Sequence, residues 1–366
     1  MHITCNRESI QKYVAHAERV TGKNLSLPIL NSVLLIAAHK TLIIRATNLE
    51  VGVEFQIPAN ITKEGSVALS GSLLANTLAS ITDEQEVTIS ADKGICTIIT
   101  KTKKLTIKGF LHDDFPTIPV IKDGEGFIMS SNKFTQGAKS VLMSAALSDV
   151  KPEISSVYLH QIADQVVFTA TDSFRLAEKK IKQTGTTISH GVIIPVKNII
   201  EIVRVLESTT EDINFLVTKN QISCTGKSLY ITSRVVQGVY PDYEQILPKS
   251  HTTEVVLLKQ DLLNTLKLST LFSDKFHKVV VSVNPDKKIC IISTKNTEVG
   301  ETESNLTATL SGDPIEISLN GKHIFDCLGA IEKDSVTMEF NGSDKPAVIR
   351  GLGDNSFTYL TMPLTR

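Results

Sequence analysis

Six stretches of the chain share one pattern of apolar and polar positions. In each, apolar residues first alternate with polar ones, as in a strand with one buried face, and then recur at spacings of three and four, as in an amphipathic helix. Polar residues suited to capping a helix stand at several junctions, namely Asn6 or Ser9, Ser131 or Asn132, and Asn320. The pattern predicts strand-then-helix units at 1–20, 67–81, 126–145, 192–208, 253–272 and 315–333.

These units recur with a long period along the chain. The tripeptide Ala-Thr-Asn at 46–48 returns as Ala-Thr-Asp at 170–172, and a proline preceded by Phe, Tyr or Met stands at 116, 241 and 363. Runs rich in Val, Ile and Thr, broken by Gly, Asn and Asp, lie between the helices and are typical of antiparallel strands. The sequence therefore predicts the α+β class, with three structurally similar domains at 1–121, 126–248 and 252–366.

Two charged segments near opposite ends of the chain are expected to pair between copies of it. Lysines alternate with apolar residues over 101–109, and glutamates cluster over 296–305. A basic edge and an acidic edge favour a head-to-tail homodimer, in which apolar contacts should dominate because exposed ion pairs contribute under about 1 kcal/mol each. The alternative is that both are solvated edge strands that resist aggregation. The candidate interface residues are Lys104, Leu105, Ile107, Leu271, Phe272, Glu298, Glu301 and Glu303.

The composition narrows the class of protein and its location. With a formal net charge of −1 the chain as a whole carries no basic signature, so any contact with nucleic acid must be local, weak or geometric. The five scattered cysteines form no C-x-x-C pair, which indicates reduced thiols. Neither a signal peptide nor an apolar run long enough to span a bilayer is present. We expect a cytoplasmic protein without a membrane partner.

Catalytic, cofactor and metal motifs are missing from the sequence. Gly226-Lys227-Ser228 looks like the end of a phosphate-binding loop, but the required earlier glycine is replaced by Gln221 and the flanks predict strands. The histidines show no helical spacing suited to a metal. Asp172 and Arg175 could form a catalytic pair, but a structural ion pair at a strand end fits better. We expect neither catalytic residues, nor a cofactor, nor a metal site.

Basic residues recur on the predicted helices. Their spacing places Lys12 with Arg19, Lys133 with Lys139, Lys197 with Arg204, and Lys259 with Lys267 on roughly common helix faces. Each pair taken alone is typical of an ordinary solvated face. Equivalent faces in a repeat would line a common surface, whose phosphate contacts would position a duplex without reading its sequence.

Five segments together resemble one known family. They are LPILNSVLL (27–35), ATNLEV (46–51), ATDSFRLA (170–177), YPDYEQILP (240–248) and YLTMPLTR (359–366), and they resemble segments of the bacterial DNA polymerase III β subunit, or sliding clamp. The resemblance implies a homodimeric ring of three-domain subunits, with helices lining the hole and antiparallel sheets outside. It implies a ring that an ATP-driven clamp loader places around double-stranded DNA, without sequence specificity, to tether the polymerase III catalytic subunit, other polymerases and repair proteins.

The resemblance also implies a hydrophobic pocket between the second and third domains, where partners insert a short linear peptide containing Gln, Leu and Phe. Apolar anchors and a few polar groups suit such a peptide. At the rim, Ser173-Phe174 replaces a usual Gly-His pair and Gln245 a common Arg. The ATNLEV segment of the first domain is an earlier copy of ATDSFRLA, and Leu49 and Glu50 are expected there in place of Phe174 and Arg175. The carried-over pocket residues are Ile154, Thr171, Ser173, Phe174, Arg175, Leu176, Pro241, Ile246, Leu360, Met362, Pro363 and Leu364.

Contacts to DNA are carried over at only three positions. Lys23, Lys151 and Lys197 match basic residues of the family, whereas Val196, Pro152 and Glu153 stand where the family has an arginine and two tyrosines. The resemblance therefore implies tethering with weaker direct affinity for DNA. Two alternatives stay open at this point: an enzyme that uses Asp172 and Arg175, and a cytosolic β-rich scaffold with the clamp fold but without DNA tethering.

Overall fold

The structure, a computed structural model, describes residues 1–22, 27–110, 114–185 and 188–364. The described residues form two compact units. The first contains those of 1–132, 188–189 and 197–235, and the second those of 133–185, 190–196 and 236–364. Every sheet described below lies within one unit, and all of its strand pairs are antiparallel.

The first unit contains a five-stranded and an eight-stranded sheet. The five-stranded sheet has the spatial order β5 (Asn60–Lys63), β1 (His2–Asn6), β7 (Glu86–Asp92), β8 (Ile95–Ile99) and β9 (Lys104–Lys108). The eight-stranded sheet has the order β10 (Glu125–Ser130), β15 (Asp212–Val217), β16 (Gln221–Thr225), β17 (Leu229–Arg234), β4 (Val51–Pro58), β3 (Thr41–Thr47), β2 (Ser32–Ala38) and β6 (Gly65–Ser70).

The second unit contains a nine-stranded and a four-stranded sheet. The nine-stranded sheet has the order β14 (Val192–Pro195), β11 (Ser156–Ile162), β12 (Gln165–Thr171), β13 (Arg175–Lys182), β26 (Phe357–Thr361), β25 (Ala347–Gly351), β24 (Ser335–Phe340), β18 (Thr253–Leu258) and β22 (Ala308–Gly312). The four-stranded sheet has the order β21 (Gly300–Asn305), β20 (Ile289–Asn296), β19 (Lys278–Asn284) and β23 (Ile315–Asn320).

Six α-helices are described, and each begins directly after a strand, as the periodicity predicts. The side chain of Asn6 accepts a hydrogen bond from the Ser9 N–H, and that of Asn320 accepts from Lys322 and His323, so both asparagines cap their helices. Within the units, α1 packs on α2 and α5 packs on α6. The helices are α1 (Arg7–Val20), α2 (Gly71–Ala79), α3 (Ser131–Leu142), α4 (Val196–Leu206), α5 (Lys259–Leu271) and α6 (Gly321–Leu328).

The two large sheets each join strands that the sequence assigns to different domains. In the first unit β17 pairs with β4, with Ile231 opposite Val53. In the second unit β13 pairs with β26, with Leu176 opposite Leu360. The second joint brings the ATDSFRLA segment beside the YLTMPLTR segment, and this neighbourhood is the candidate site.

Candidate peptide-binding site

The segment between β12 and β13 is a tight turn that its own side chains hold. The Thr171 hydroxyl donates to the Arg175 carbonyl oxygen at 2.7 Å and accepts from the Ser173 N–H at 3.1 Å. The Asp172 carboxylate accepts from the N–H groups of Phe174 and Arg175, both at 2.9 Å. Ser173 takes a positive φ of 76°, in the left-handed region. Such short-range bonds from Thr and Asp make the corner rigid.

The first unit contains the same turn between β3 and β4. The Thr47 hydroxyl donates to the Val51 carbonyl oxygen at 2.9 Å, the Asn48 side chain accepts from Glu50 and Val51, and Leu49 has a φ of 74°. This geometry corrects the sequence comparison by one position, because Leu49 matches Ser173 and Glu50 matches Phe174. Val51 therefore stands where the second copy has Arg175, so the first copy keeps the turn and lacks the guanidinium.

Arg175 links the turn to helix α6. Its Nε lies 2.9 Å from Asp172 Oδ2 and its Nη1 lies 2.8 Å from Asp326 Oδ2, while Lys322 Nζ lies 3.1 Å from Asp326 Oδ1. Burial disfavours the charged guanidinium, whose side chain is only 12% exposed, but the bonds to Asp326 and Asp172 outweigh this and raise the pKa of Arg175. Asp172 and Arg175 are thus a structural ion pair, as the sequence predicts.

An apolar cluster lies beneath the turn. Leu176 and Leu360, opposite each other on β13 and β26, pack with Ile193, Tyr240 and Tyr243, and all five are buried. Four partly buried residues complete the cluster: Tyr158, Val236, Leu247 and Met362. Three of the predicted pocket residues, Leu176, Leu360 and Met362, are therefore in one place.

The segment 362–364, which follows β26, is hydrogen-bonded to the turn and to Ser318. The Met362 N–H donates to the Phe174 carbonyl oxygen at 2.8 Å, and the Leu364 N–H donates to the Ser318 carbonyl oxygen at 2.8 Å. Pro363, between them, is half-buried. These bonds fix the three predicted residues Met362, Pro363 and Leu364 in the second unit.

The remaining predicted pocket residues are more exposed. Phe174 is 66% exposed. Pro241, two residues before the 3-10 helix Tyr243–Ile246, and Ile246, the last residue of that helix, are also exposed. Ile154 is half-buried in the turn before β11, where its carbonyl oxygen accepts from the Ala146 N–H. Exposed apolar side chains beside a buried apolar cluster are the combination that a docking peptide needs.

Sequence reasoning missed several residues of this neighbourhood. Asp326, on α6, gives no sequence signal because it lies far along the chain from its partner Arg175. Tyr240 and Tyr243 could have been found, since both stand in the YPDYEQILP motif and aromatic residues in a short connecting segment favour packing.

The structure describes two of the three lysines that are predicted to contact DNA. Lys23 lies outside the described residues. Lys151 is exposed in the second unit, and Lys197 is exposed at the second position of α4 in the first unit. Lys12, Arg19 and Arg204 are also exposed on their helices, as the spacing predicts.

The charged segments form sheet edges. Strand β9 is an outer strand of the five-stranded sheet, and β21 is an outer strand of the four-stranded sheet. Lys104 is exposed and Leu105 half-buried on β9, Glu301 and Glu303 are exposed on β21, Glu298 is exposed just before it, and Phe272 is half-buried near Gly300. Leu271 is 69% exposed. Ile107 is only 4% exposed because it packs into its own unit, which corrects the expectation that its side chain is available to a partner.

Among the described residues there is no group of three or more His, Cys, Asp or Glu placed to hold a metal. None of the helices described is long and apolar enough to cross a membrane. The Gly226-Lys227-Ser228 sequence lies in the turn between β16 and β17, flanked by strands on both sides, so it does not form a phosphate-binding loop.

Three family profiles match the chain consecutively. They describe the N-terminal, central and C-terminal domains of the DNA polymerase III beta subunit and match residues 1–119, 128–242 and 244–365. The chain belongs to the bacterial DNA polymerase III β subunit family. This family consists of processivity factors without catalytic activity, so the alternative of an enzyme at Asp172 and Arg175 is wrong.

Individual relatives agree with the family assignment over full length. Beta sliding clamps of Synechococcus elongatus and Staphylococcus aureus are each 24% identical to the chain, covering 100% of it and 99% of the relative. The crystal structure of the β subunit from Thermotoga maritima is 22% identical with a TM-score of 0.94, covering 100% of this chain and 99% of that one. A Pseudomonas aeruginosa clamp bound to griselimycin is 23% identical with a TM-score of 0.95, and both chains are covered completely. These likenesses confirm the three-domain α+β clamp fold.

Proposed function

We propose that this chain is the sliding clamp of a bacterial replicative polymerase. In this proposal two copies close head to tail into a ring around double-stranded DNA, in the cytoplasm, and tether proteins to the duplex without reading its sequence. The observation that carries the proposal is the match of all three β-subunit domains, in order, along nearly the whole chain. The clamp domain limits that we propose are 1–121, 126–248 and 252–366.

The proposed ring closes through the two charged edges. Strand β9 with Lys104 and Leu105 would pair with β21 of the other copy, which carries Glu301 and Glu303. Opposite charges on facing edge strands favour the correct register and oppose pairing of like edges. Three further residues complete the proposed interface. Glu298 precedes β21 in the sequence, Leu271 is the last residue of α5, and Phe272 follows it near Gly300.

The direct contact with DNA is proposed to be weak. Lys151 and Lys197 are exposed, and Lys23 is kept as a prediction because it lies outside the described residues. With a net charge of −1 the chain is suited to hold DNA by encircling it, not by a strong electrostatic attraction. Replacing the three lysines by alanine should reduce the salt-sensitive binding of linear DNA and leave the retention of a loaded ring unchanged.

The corner around Arg175 is the proposed docking site for partner peptides. The polymerase III catalytic subunit, the clamp loader, other polymerases and repair proteins would each insert a short linear peptide there. The Arg175 corner, the buried pair Leu176 and Leu360, and the exposed rim at Phe174 and Ile246 support this proposal. Because the similar clamp of Pseudomonas aeruginosa binds griselimycin, we propose griselimycin as a competitor at this corner.

Loading onto circular DNA tests the proposed function. The labelled protein is incubated with nicked circular plasmid, a bacterial clamp loader and ATP, and free protein is removed by gel filtration in 0.5 M salt. The proposed clamp stays with the circle without ATP once loaded, and it leaves when a restriction enzyme cuts the circle. A scaffold with the clamp fold but no tethering function would not elute with the plasmid under any of these conditions.

A further inference from the structure

A chain of hydrogen bonds crosses the buried side of the segment 236–248. The Tyr243 hydroxyl donates to Glu178 Oε2 at 2.8 Å, and it lies 2.9 Å from Nε2 of His160. The other carboxylate oxygen of Glu178 lies 2.8 Å from Lys180 Nζ. Glu178, His160 and Tyr243 are all buried. Nothing in the family assignment or in the proposed peptide contacts uses these three side chains.

Aromatic rings hold the same segment from a second direction. Tyr158 stacks on Tyr240 with ring centroids 4.6 Å apart and also stacks on His160 at 4.7 Å. Tyr240 and Tyr243 meet edge to face at 6.5 Å. The Val236 N–H, at the start of the segment, donates to the Ile193 carbonyl oxygen at 2.8 Å. The segment has little regular structure of its own, so these contacts with the nine-stranded sheet determine where it lies.

The position of this segment matters because it supplies part of the proposed peptide site. Pro241 and Ile246 stand on either side of Tyr243, at its exposed surface, whereas Tyr240 and Tyr243 point inward to Leu176 and Leu360. The two leucines also form the apolar floor of the site. Any movement of Tyr243 away from Glu178 would therefore displace one wall of the site and uncover part of its floor.

A buried carboxylate such as that of Glu178 is not needed simply to stabilise the position of the segment. Burying a carboxylate costs desolvation free energy, and an apolar contact of similar size would often be as stable. What the carboxylate adds is one defined arrangement, because only a hydroxyl at the Tyr243 position satisfies Glu178 and His160 together. The network thus favours a single placement of the segment over several similar apolar packings.

We propose that Tyr243, Glu178 and His160 are positioning residues for the peptide site, which lock the segment 236–248 onto the sheet so that Pro241 and Ile246 are in place before a peptide arrives. This inference rests on the proposed peptide-binding function. A site that is already formed binds in one step, whereas a site whose wall is displaced part of the time binds with an affinity reduced by the fraction of molecules that are competent.

The test uses Tyr243→Phe, which removes one hydroxyl and keeps the ring. A fluorescein-labelled hexapeptide that contains Gln, Leu and Phe is the probe, and its association and dissociation rates are measured on the full-length dimer by stopped flow. The lost hydrogen bond to a charged group should shift the docking equilibrium of the segment about tenfold toward the displaced form, and the affinity should fall by the smaller factor by which the competent fraction drops, below about tenfold. The loss should fall on the association rate, because fewer molecules are competent, and the dissociation rate should stay close to that of wild type.

The matched control is Tyr230→Phe. The Tyr230 hydroxyl donates to the Pro119 carbonyl oxygen at 2.9 Å and accepts from the Ile121 N–H at 2.9 Å, so it also holds a connecting segment, but in the first unit. This variant should bind the probe as wild type does. Glu178→Gln keeps an acceptor for the Tyr243 hydroxyl and should retain more affinity than Tyr243→Phe.

Amide hydrogen exchange supplies a second readout that does not need the peptide. In Tyr243→Phe the amides of 243–247 should exchange faster, with those of β9 and β21 unchanged. Wild-type affinity and wild-type exchange in Tyr243→Phe would overturn the inference, as would an equal loss in Tyr230→Phe. If the wild-type protein itself did not bind the probe, the proposed peptide function would fail, and faster exchange in Tyr243→Phe would then show only that the network orders the segment.

Discussion

At the scale of single residues, Arg175 connects two elements of the site. It is held by Asp172 within its own turn and by Asp326 on α6, so it fixes the turn relative to the helix. Because the same turn at Thr47–Val51 exists without an arginine, the guanidinium is not needed to form the turn. Its role is therefore to tie the second copy of the turn to the rest of the proposed peptide site.

Replacing Arg175 by alanine should weaken peptide binding and stability together. Asp172 and Asp326 would lose their shared partner, and we expect the free energy of unfolding to fall by about 2 kcal/mol and the affinity for the peptide probe to fall at least about tenfold. Fluorescence polarisation and urea unfolding measure the two effects. The control is Arg234→Ala, which removes an exposed arginine 3.9 Å from Glu50 and should change neither quantity. Unchanged peptide affinity in Arg175→Ala would contradict the proposed site.

Gly137 is a second residue whose role depends on a close contact. A Cβ atom at this helical position would lie 2.4 Å from the Phe168 ring, which is fully buried. Alanine in a helix is ordinarily favoured over glycine by about 1 kcal/mol. Here the clash should reverse the sign, and Gly137→Ala should lower the free energy of unfolding by about 1 to 3 kcal/mol in urea titrations.

The control for this substitution is Gly329→Ala. Its Cβ would meet nothing closer than the Asp326 carbonyl oxygen at 3.7 Å, and its backbone is already in the right-handed helical region. The unfolding midpoint of this variant should stay the same or rise slightly. If Gly137→Ala behaved like Gly329→Ala, helix α3 would not approach β12 as closely as the structure shows.

At this scale the sequence predicts contacts between residues that are close along the chain and misses contacts between residues that are far apart along it. The Thr-Asp turn and its ion pair with Arg175 are readable because every partner lies within five positions. Asp326 and Glu178 are not readable, because nothing in a single sequence pairs them with Arg175 and Tyr243. The match of Leu49 with Ser173 is readable from the repeat of Ala-Thr-Asn at 46–48 as Ala-Thr-Asp at 170–172, and the shared left-handed backbone agrees with it.

At the scale of elements, the buried network around β11 and β13 should make stability depend on pH. Burial lowers the pKa of His160 from 6.5 to about 4, and the nearby Glu178 only partly opposes this shift. The unfolded chain therefore takes up a proton near pH 6.5, which the folded chain takes up only near pH 4. Hence the free energy of unfolding decreases as the pH falls from 6.5 toward 4.

The protonation of His160 should lower the free energy of unfolding by about 2 kcal/mol between pH 7 and pH 5. Urea unfolding of wild type and His160→Gln at both pH values isolates this contribution, because other titrating groups are common to the two proteins. The stability of His160→Gln should change less over this range. The same pH dependence in both proteins would mean that His160 is not buried as neutral imidazole.

The edge strands give a prediction about assembly. Lys104→Glu on β9 would oppose Glu301 and Glu303 of the proposed partner edge, and sedimentation at low salt should show weaker dimerisation. The effect should be modest, about 1 kcal/mol per reversed charge, because the side chains are exposed. Lys63→Glu is the matched control, since Lys63 is exposed on β5 at the opposite edge of the same sheet.

A combined variant makes this prediction sharper. Glu303→Lys should weaken dimerisation by itself, and an equimolar mixture with Lys104→Glu should form heterodimers with one restored edge. If Lys63→Glu weakened the dimer as much as Lys104→Glu does, the proposed choice of edges would be wrong.

Element by element, the periodicity predicts the six strand-then-helix units, and the structure confirms all six. It cannot predict which strands meet, because a strand with an apolar face carries no label for its partner. The joints between β17 and β4 and between β13 and β26 are therefore visible only in the structure. The second joint is the one that brings the segments of the proposed peptide site together.

At the scale of the whole molecule, the proposed clamp acts by topology and not by chemistry. A net charge of −1, the family assignment and the apolar corner all agree with a ring that slides on DNA and offers docking sites to partners. The proposed ring has two such corners, one in each copy. Two partners could then be tethered together, with an effective concentration that neither affinity alone provides.

The native thiols of the protein make a direct test of topology possible. All five cysteines are buried, and burial raises the pKa of Cys5 to about 12 and that of Cys96 and Cys290 to about 11, so these thiols stay protonated and inert at neutral pH. New cysteines at Leu105 on β9 and at Leu271 at the end of α5, on the two sides of the proposed interface, would therefore react selectively with a short bis-maleimide.

The decisive measurement is the retention of this covalently closed dimer on DNA in denaturant. The double variant is loaded onto nicked circular plasmid, cross-linked, and separated by gel filtration in sodium dodecyl sulfate, where only a topological link survives. We expect cross-linked dimers to travel with the circle and to be released when the plasmid is cut once. Dimers cross-linked at both interfaces that separate from the uncut circle would contradict the claim that this protein encircles DNA.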